Sequence, residues 1–296
     1  MIPYLFISGF LGAGKTTLLN NLLRRYRDLK IGVIVNDFGE LAVDSMLIEK
    51  ESVTGTVKEL RAGQIFCSCL SGSFINTVLA FKDTPVDVLF IECSGLAKPS
   101  TLSDIVQVID KKAPGGFSCL GMISIIDATR HAILEQSLLV ITEQIESSDI
   151  LLLSKCEQVL ANDCDQLHNS LAHRYPDKHM FRLQNKSIEP DIIELLKNKT
   201  NAFIHVDKQK HMGWGDSGRP ESFILHPLSK TSHEVQETLS QFQSRWYRIK
   251  GTIETTDKGF LYFDGTEDQL HIHKSNTSSD NGLVIITHDQ QLEHEV

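Results

Sequence analysis

Apolar positions along this chain gather into short β-branched runs separated by stretches of helical period, the alternation expected of a mostly parallel α/β sheet. The first run, residues 2–7, leads directly into a glycine-rich turn and then an apolar-periodic stretch at 18–23, which predicts strand, loop and helix in that order. Residues 31–35 read Ile-Gly-Val-Ile-Val, a pattern suited to a strand buried on both faces. Further strands are predicted at 53–60, 86–91, 119–126, from Asp149 to Ser154, and at 179–183. Helices are expected at 71–80, from Pro99 to near Asp110, in a long stretch after Ala128, and at 188–196. Beyond residue 201 the alternation stops. Residues 202–220, with Gly213-Trp214-Gly215-Asp216-Ser217-Gly218, have linker composition. Residues 221–296 then suggest strands at 222–226, 245–252, 259–263 and 283–287 with one helix at 232–244. The expected fold is therefore an α/β domain over 1–201 with a smaller C-terminal α+β domain over 221–296.

Composition narrows the classes of function. A chain of 296 residues, 41% of them hydrophobic, can bury a large core in each of two domains. Its net charge of −9, without clusters of Lys and Arg, argues against nucleic acid as a partner. No basic region precedes the first apolar run, which ends in a glycine loop, so neither a signal peptide nor a membrane anchor is expected and a cytoplasmic protein is. The six cysteines lie in an intracellular α/β pattern, which favours burial, redox or metal chemistry over a disulfide framework.

The most specific chemistry is Gly9-Phe10-Leu11-Gly12-Ala13-Gly14-Lys15-Thr16-Thr17, which fits G-x-x-x-x-G-K-[ST] in the strand-to-helix context of a P-loop NTPase. The backbone N–H groups of Gly12, Ala13 and Gly14 would turn inward on phosphate oxygens at a helix N-terminus. Lys15 would reach the β- and γ-phosphates and Thr16 would ligate Mg²⁺, while Thr17 would bond phosphate or cap the helix. Asp37, after the second strand, is a candidate for the Mg²⁺ shell or for positioning water, and Glu40 for contacts further out. Glu92 closes a strongly apolar strand and Gly95 follows it, an acid to orient the Mg²⁺ shell and an N–H to sense a γ-phosphate. In Ser154-Lys155-Cys156-Glu157 the lysine stem would lie along a purine and the carboxylate would accept from guanine N1 and N2. Cys67 and Cys69, one residue apart, share a face if extended and would serve a soft ion such as Zn²⁺ or Cu⁺, with Glu40, a distant His, water or a second subunit completing the site; the alternative is a pair of buried structural cysteines. His271 and His273 also share a face, and a solvent-facing pair is expected there.

Taken together these motifs resemble the CobW-type family of P-loop GTPases, linked to metal delivery and metallocofactor assembly. The resemblance covers almost the whole chain. It joins the phosphate loop to Asn36-Asp37-Phe38-Gly39-Glu40 with Asp44 beyond, and to Glu59-Leu60-Arg61-Ala62-Gly63-Gln64-Ile65-Phe66-Cys67. Glu92-Cys93-Ser94-Gly95-Leu96-Ala97-Lys98-Pro99, Ser154-Lys155-Cys156-Glu157 and Arg248-Ile249-Lys250-Gly251 follow in the same order as in that family. It implies GTP and GDP with Mg²⁺, a transition metal such as Zn²⁺ or Co²⁺, a client metalloprotein, and a protein that can act as a homodimer. Two departures stand out. The family's C-x-C-C falls on Gln64, Phe66 and Cys67, and the base motif has Ser for Asn and Glu for Asp.

The function expected is a Mg-dependent GTP-hydrolysing switch with Lys15, Asp37 and Glu92 at its catalytic centre. No strong general base is visible, so basal turnover should be low until a partner completes the site. The alternatives are a nucleotide-dependent adaptor that moves no metal, and a small-molecule kinase. The base motif and the lack of a lid insertion weigh against the kinase.

Overall fold

The computed structural model describes residues 1–36, 57–60, 71–137, 139–183, 188, 190–198, 221–225, 230–267, 269–275, 282–287, 289 and 292. These divide into two compact units, the first holding the described residues up to Asn198 and the second those from Glu221 onward.

The first unit runs β1 (Ile2–Gly9), α1 (Lys15–Arg25), β2 (Ile31–Asn36), β3 (Val57–Leu60), α2 (Ser71–Leu79), β4 (Val88–Glu92), α3 (Pro99–Lys112) and β5 (Phe117–Asp127). It continues with α4 (His131–Ser137), α5 (Leu139–Ser147), β6 (Ile150–Ser154), α6 (Ala161–Arg174), β7 (His179–Arg182) and α7 (Ile192–Lys197). The strands form one parallel sheet in the order β3-β2-β4-β1-β5-β6-β7. Its apolar runs are buried on both faces because each strand alternates between two cores. On β1, Leu5 and Ile7 join Leu18, Leu19 and Leu22 of α1 and Ile192 and Leu196 of α7. Tyr4 and Phe6 point the other way, into a cluster with Phe74 and Val78 of α2 and Leu102, Ile105 and Ile109 of α3. Helices thus cover both faces, and the parallel strands end along one edge of the sheet.

The predicted helix after Ala128 is two helices, α4 and α5. Helix α6 was not predicted. Among its residues only Cys164 and Leu171 are buried, so its apolar stripe is too thin to register as helical periodicity. The helix expected at 188–196 is Ile192–Lys197, started by the Asp191 carboxylate accepting from the Glu194 N–H at 3.0 Å. The expected linker, residues 202–220, lies outside the described residues.

The second unit comprises β8 (Glu221–Leu225), α8 (Ser232–Gln241), β9 (Trp246–Thr255), β10 (Gly259–Thr266), β11 (Gln269–Lys274) and β12 (Gly282–Thr287). Its antiparallel sheet has the order β11-β10-β9-β12-β8, one strand more than the four predicted. A separate core joins Val235 and Leu239 of α8 to Trp246, Ile249, Phe263, Leu283 and Ile285. A capping box starts α8, Thr231 and Glu234 each bonding the other's backbone N–H. His271 and His273 lie on the exposed face of β11, the solvent-facing pair expected. Among the described residues no helix is long and apolar enough to cross a membrane.

Candidate functional site

The first sheet brings those predicted residues that are described to one edge because all of its strands run the same way. Strand β1 is central, β4 lies on one side and β5 on the other, and the register pairs Ile7 with Glu92, Gly9 with Ile125 and Asp127 with Ser154. The carboxyl ends of β1, β4, β5 and β6 therefore share one edge of the sheet, at the place where connections diverge to either side.

Between β1 and α1 the loop turns through Gly12 and Gly14, both at positive φ, 76° and 105°. Gly14 is the N-cap of α1 and occupies the left-handed region, where a side chain would be strained, and no side chain caps the helix. This excludes Thr17 as the capping residue. Thr17 is exposed in the first helical turn. Lys15 is buried, its ammonium donating to the carbonyls of Gly9 at 3.0 Å and Phe10 at 3.1 Å. The loop therefore folds under its own lysine. Thr16 donates its hydroxyl to Glu92 Oε1 at 2.8 Å across 76 positions of sequence, and Glu92 is 2% exposed. Two hard oxygens meeting beside a phosphate loop are donors of the kind Mg²⁺ takes.

After β4 the chain presses against the phosphate loop. A Cβ on Gly95 would stand 2.6 Å from the backbone nitrogen of Leu11, so this position has room only for glycine. Cys93 is fully buried and its thiol is pushed up by burial, against the pull of the nearby Lys15 charge. On the other side Gln144 of α5, 1% exposed, donates to the carbonyls of Gly95 at 3.1 Å and Ala97 at 3.2 Å.

The base motif at the end of β6 is joined to the phosphate loop. Ser154 donates its hydroxyl to the Ala13 carbonyl at 2.8 Å, with the Ile126 carbonyl at 3.3 Å. The serine expected beside the base is thus engaged with the phosphate loop. Lys155 has φ of 58°, a left-handed conformation unusual for a side-chain-bearing residue, and its ammonium lies 2.5 Å from Asp127 Oδ2. Asp127 is itself held, its other oxygen accepting from the Thr129 N–H at 3.0 Å and hydroxyl at 2.6 Å. Glu157 is exposed in the short 3₁₀ turn Cys156–Gln158. The sequence motifs assign no role to Asp127 or to Gln144. The signal that could have found Asp127 is its position, an acid closing a buried strand beside the base motif.

Asp37, Glu40, Asp44, Cys67 and Cys69 lie outside the described residues. Among the described residues no group of three or more His, Cys, Asp or Glu is placed to hold a metal, and Cys93, Cys119, Cys156 and Cys164 are free thiols.

Comparison with known proteins adds to this geometry. The profile of the CobW/HypB/UreG nucleotide-binding domain matches residues 3–182. The chain is 33% identical over 290 residues to the zinc chaperone YjiA of Escherichia coli, covering 91% of this chain and 84% of that one. It is 30% identical over 252 residues to zinc-regulated GTPase metalloprotein activator 1 of Dictyostelium discoideum, covering 72% of this chain. Of that relative's own length it spans only about half, 51%. Among solved structures, Zn(II)-bound YjiA GTPase of E. coli superposes with a TM-score of 0.48 at 22% identity, covering 99% of this chain and 96% of that one. With the profile spanning the phosphate loop, Glu92 and the base motif alike, the chain belongs to the CobW/HypB/UreG family and residues 3–182 are its nucleotide-binding domain.

Proposed function

We propose that this protein is a Mg-dependent switch that binds and hydrolyses GTP and assists metal delivery or metallocofactor assembly on a client metalloprotein. The observation that supports it most directly is the hydrogen bond from Ser154 to Ala13, which joins a base-reading turn to a phosphate loop on one sheet edge. Gly12, Ala13, Gly14 and the start of α1 cradle the phosphates, and Lys15 exchanges its two loop carbonyls for phosphate oxygens. Thr16, Asp37 and Glu92 would supply the Mg²⁺ shell, Asp37 alternatively positioning water; the ion would neutralise charge developing on the phosphates. Thr17 adds a phosphate contact, and the Gly95 N–H meets the γ-phosphate. Lys155, anchored by Asp127, lies along the purine while Glu157 accepts from N1 and N2. Turnover rests on positioning and electrostatics, so a partner sets its rate.

The cargo of this switch is a thiophilic divalent ion, Zn²⁺ or Co²⁺, held by Cys67, Cys69 and Glu40. The names of the relatives, a zinc chaperone and a zinc-regulated GTPase, support zinc. One sequence feature favours the rival adaptor that moves no metal: Gln64 and Phe66 stand where the CobW-type motif has cysteines.

The test measures GTP turnover and GDP binding with and without Mg²⁺, and Zn²⁺ affinity by calorimetry. Thr16→Ala should lower turnover at least about a hundredfold with the fold intact, because it removes a hydroxyl from the Mg²⁺ site. Turnover equal to wild type would overturn the switch. Zn²⁺ binding unchanged by Cys67→Ser with Cys69→Ser would leave the adaptor.

A further inference from the structure

A buried amide adds a second link between the two halves of the site, beside the bond from Ser154 to Ala13. Gln144 sits on α5, and its Nε2 lies between two main-chain carbonyls of the segment after β4, those of Gly95 and Ala97. Both acceptors are carbonyl oxygens, which fixes the amide: turned over, its own oxygen would face two others in a site closed to water. The segment it holds is closed by the Ala97 N–H donating to the Ser94 carbonyl at 3.0 Å, and starts from the Cys93 N–H donating to the Ile7 carbonyl at 2.8 Å. Its opposite side is Gly95 against Leu11 of the phosphate loop. Gly95 is therefore held between the phosphate loop and Gln144, and its height above the sheet edge depends on both.

Helix α5 is also tied to the base motif. Ser148 donates its hydroxyl back to the Gln144 carbonyl at 2.6 Å, and the chain then turns at Asp149 into β6. That turn is pinned twice. The Asp149 N–H donates to the Met122 carbonyl at 2.7 Å, and the Met122 N–H donates to Asp149 Oδ2 at 2.9 Å. From there β6 runs to Ser154 and Lys155.

We infer that Gln144 is a positioning residue that sets the Gly95 segment at the height from which it distinguishes a nucleoside triphosphate from a diphosphate. The inference rests on the nucleotide reading above and deepens it. A γ-phosphate engages the Gly95 N–H, whereas a diphosphate does not reach it, so loosening this segment weakens the two ligands unequally. A residue that served only to stabilise the fold would weaken both alike.

The test uses the full chain and two variants. Gln144→Met keeps the length and apolar packing but donates nothing, and Gln144→Glu turns a carboxylate toward two carbonyls. Affinities for GDP and for a non-hydrolysable GTP analogue are measured with Mg²⁺ present. In Gln144→Met the ratio of analogue to GDP affinity should fall about tenfold while GDP affinity stays within about threefold of wild type, and Gln144→Glu should lose more. A ratio unchanged in both variants, or equal losses for both ligands, would overturn the inference. If neither variant folds, hydrogen exchange on wild type decides: protection of 94–97 and 139–147 should rise together when the analogue replaces GDP. Protection of 139–147 that does not change would overturn it. Wild type that binds neither nucleotide overturns the nucleotide reading and this inference with it; wild-type discrimination retained in the variants overturns this inference alone.

Discussion

Glu157 shows both what a residue motif reveals and what it hides. The sequence identifies a strand ending in Ser-Lys-x-Glu, and the structure places Glu157 exposed, two residues beyond a lysine that has a left-handed backbone and whose ammonium pairs with Asp127. A charged acceptor reading two N–H donors contributes about 1.5–3 kcal/mol per bond at a desolvated contact, so its loss should be visible in selectivity. Glu157→Ala should reduce the preference for GTP over ATP at least about tenfold, with the affinity for ATP little changed. Competition of both nucleotides against a labelled GDP checks it, and a parent protein that binds ATP as well as GTP would end the assignment. The residues proposed to touch nucleotide are legible as candidates because their chemistry is local to a motif. The partners of Ser154 and Gln144 are not legible, since Ala13 and Gly95 lie 141 and 49 positions away and only the fold brings them within reach.

At the scale of elements, the parallel strands are legible because double-sided burial forces them to be almost wholly apolar, as in β4 and β6 where every residue is buried. Helices with a thin apolar stripe are not, and α6 is the example. Its last turn nevertheless matters, because Arg174 bonds both oxygens of Glu135 on α4, at 2.8 and 3.2 Å. Glu135 lies in turn 3.2 Å from Nε2 of His131. His131 is 3% exposed, and burial lowers its pKa below the usual 6.5, outweighing the attraction of Glu135, while the Arg174 charge adds to the lowering. The unfolded chain then binds a proton that the folded chain resists. The stability is fully present above about pH 6.5 and is lost as pH falls through the lower folded value. Chemical denaturation at pH 7.5 and pH 5.5 should therefore show a larger loss in wild type than in His131→Gln. Equal losses would mean that Glu135 keeps the imidazole as easily protonated as it is in water.

The described residues form two compact units in one chain, the first with a core on each face of its sheet and the second with a core of its own, and the sequence signals this by the change from βα alternation to a β-rich pattern after residue 201. Every described group proposed to face nucleotide belongs to the first unit, whereas the Trp246, Phe263 and Ile285 core belongs to the second. That separation predicts how a ligand distributes its stabilisation. A ligand that binds only the folded form stabilises it by RT ln(1 + [L]/Kd), about 2.7 kcal/mol at a hundred times Kd. GDP with Mg²⁺ at that excess should slow hydrogen exchange in the slowest amides of β1, β4 and β5 by about a hundredfold, since those amides open only when the first core unfolds. The slowest amides of β9 and β12, which report the second core, should keep their rates. Full-chain exchange followed by mass spectrometry reads both sheets in one sample. Equal slowing in both would show that the two cores unfold as one cooperative unit, and no slowing in the first would remove nucleotide from its sheet edge. Slowing confined to the first sheet would place the whole of the binding free energy in the unit that carries the phosphate loop.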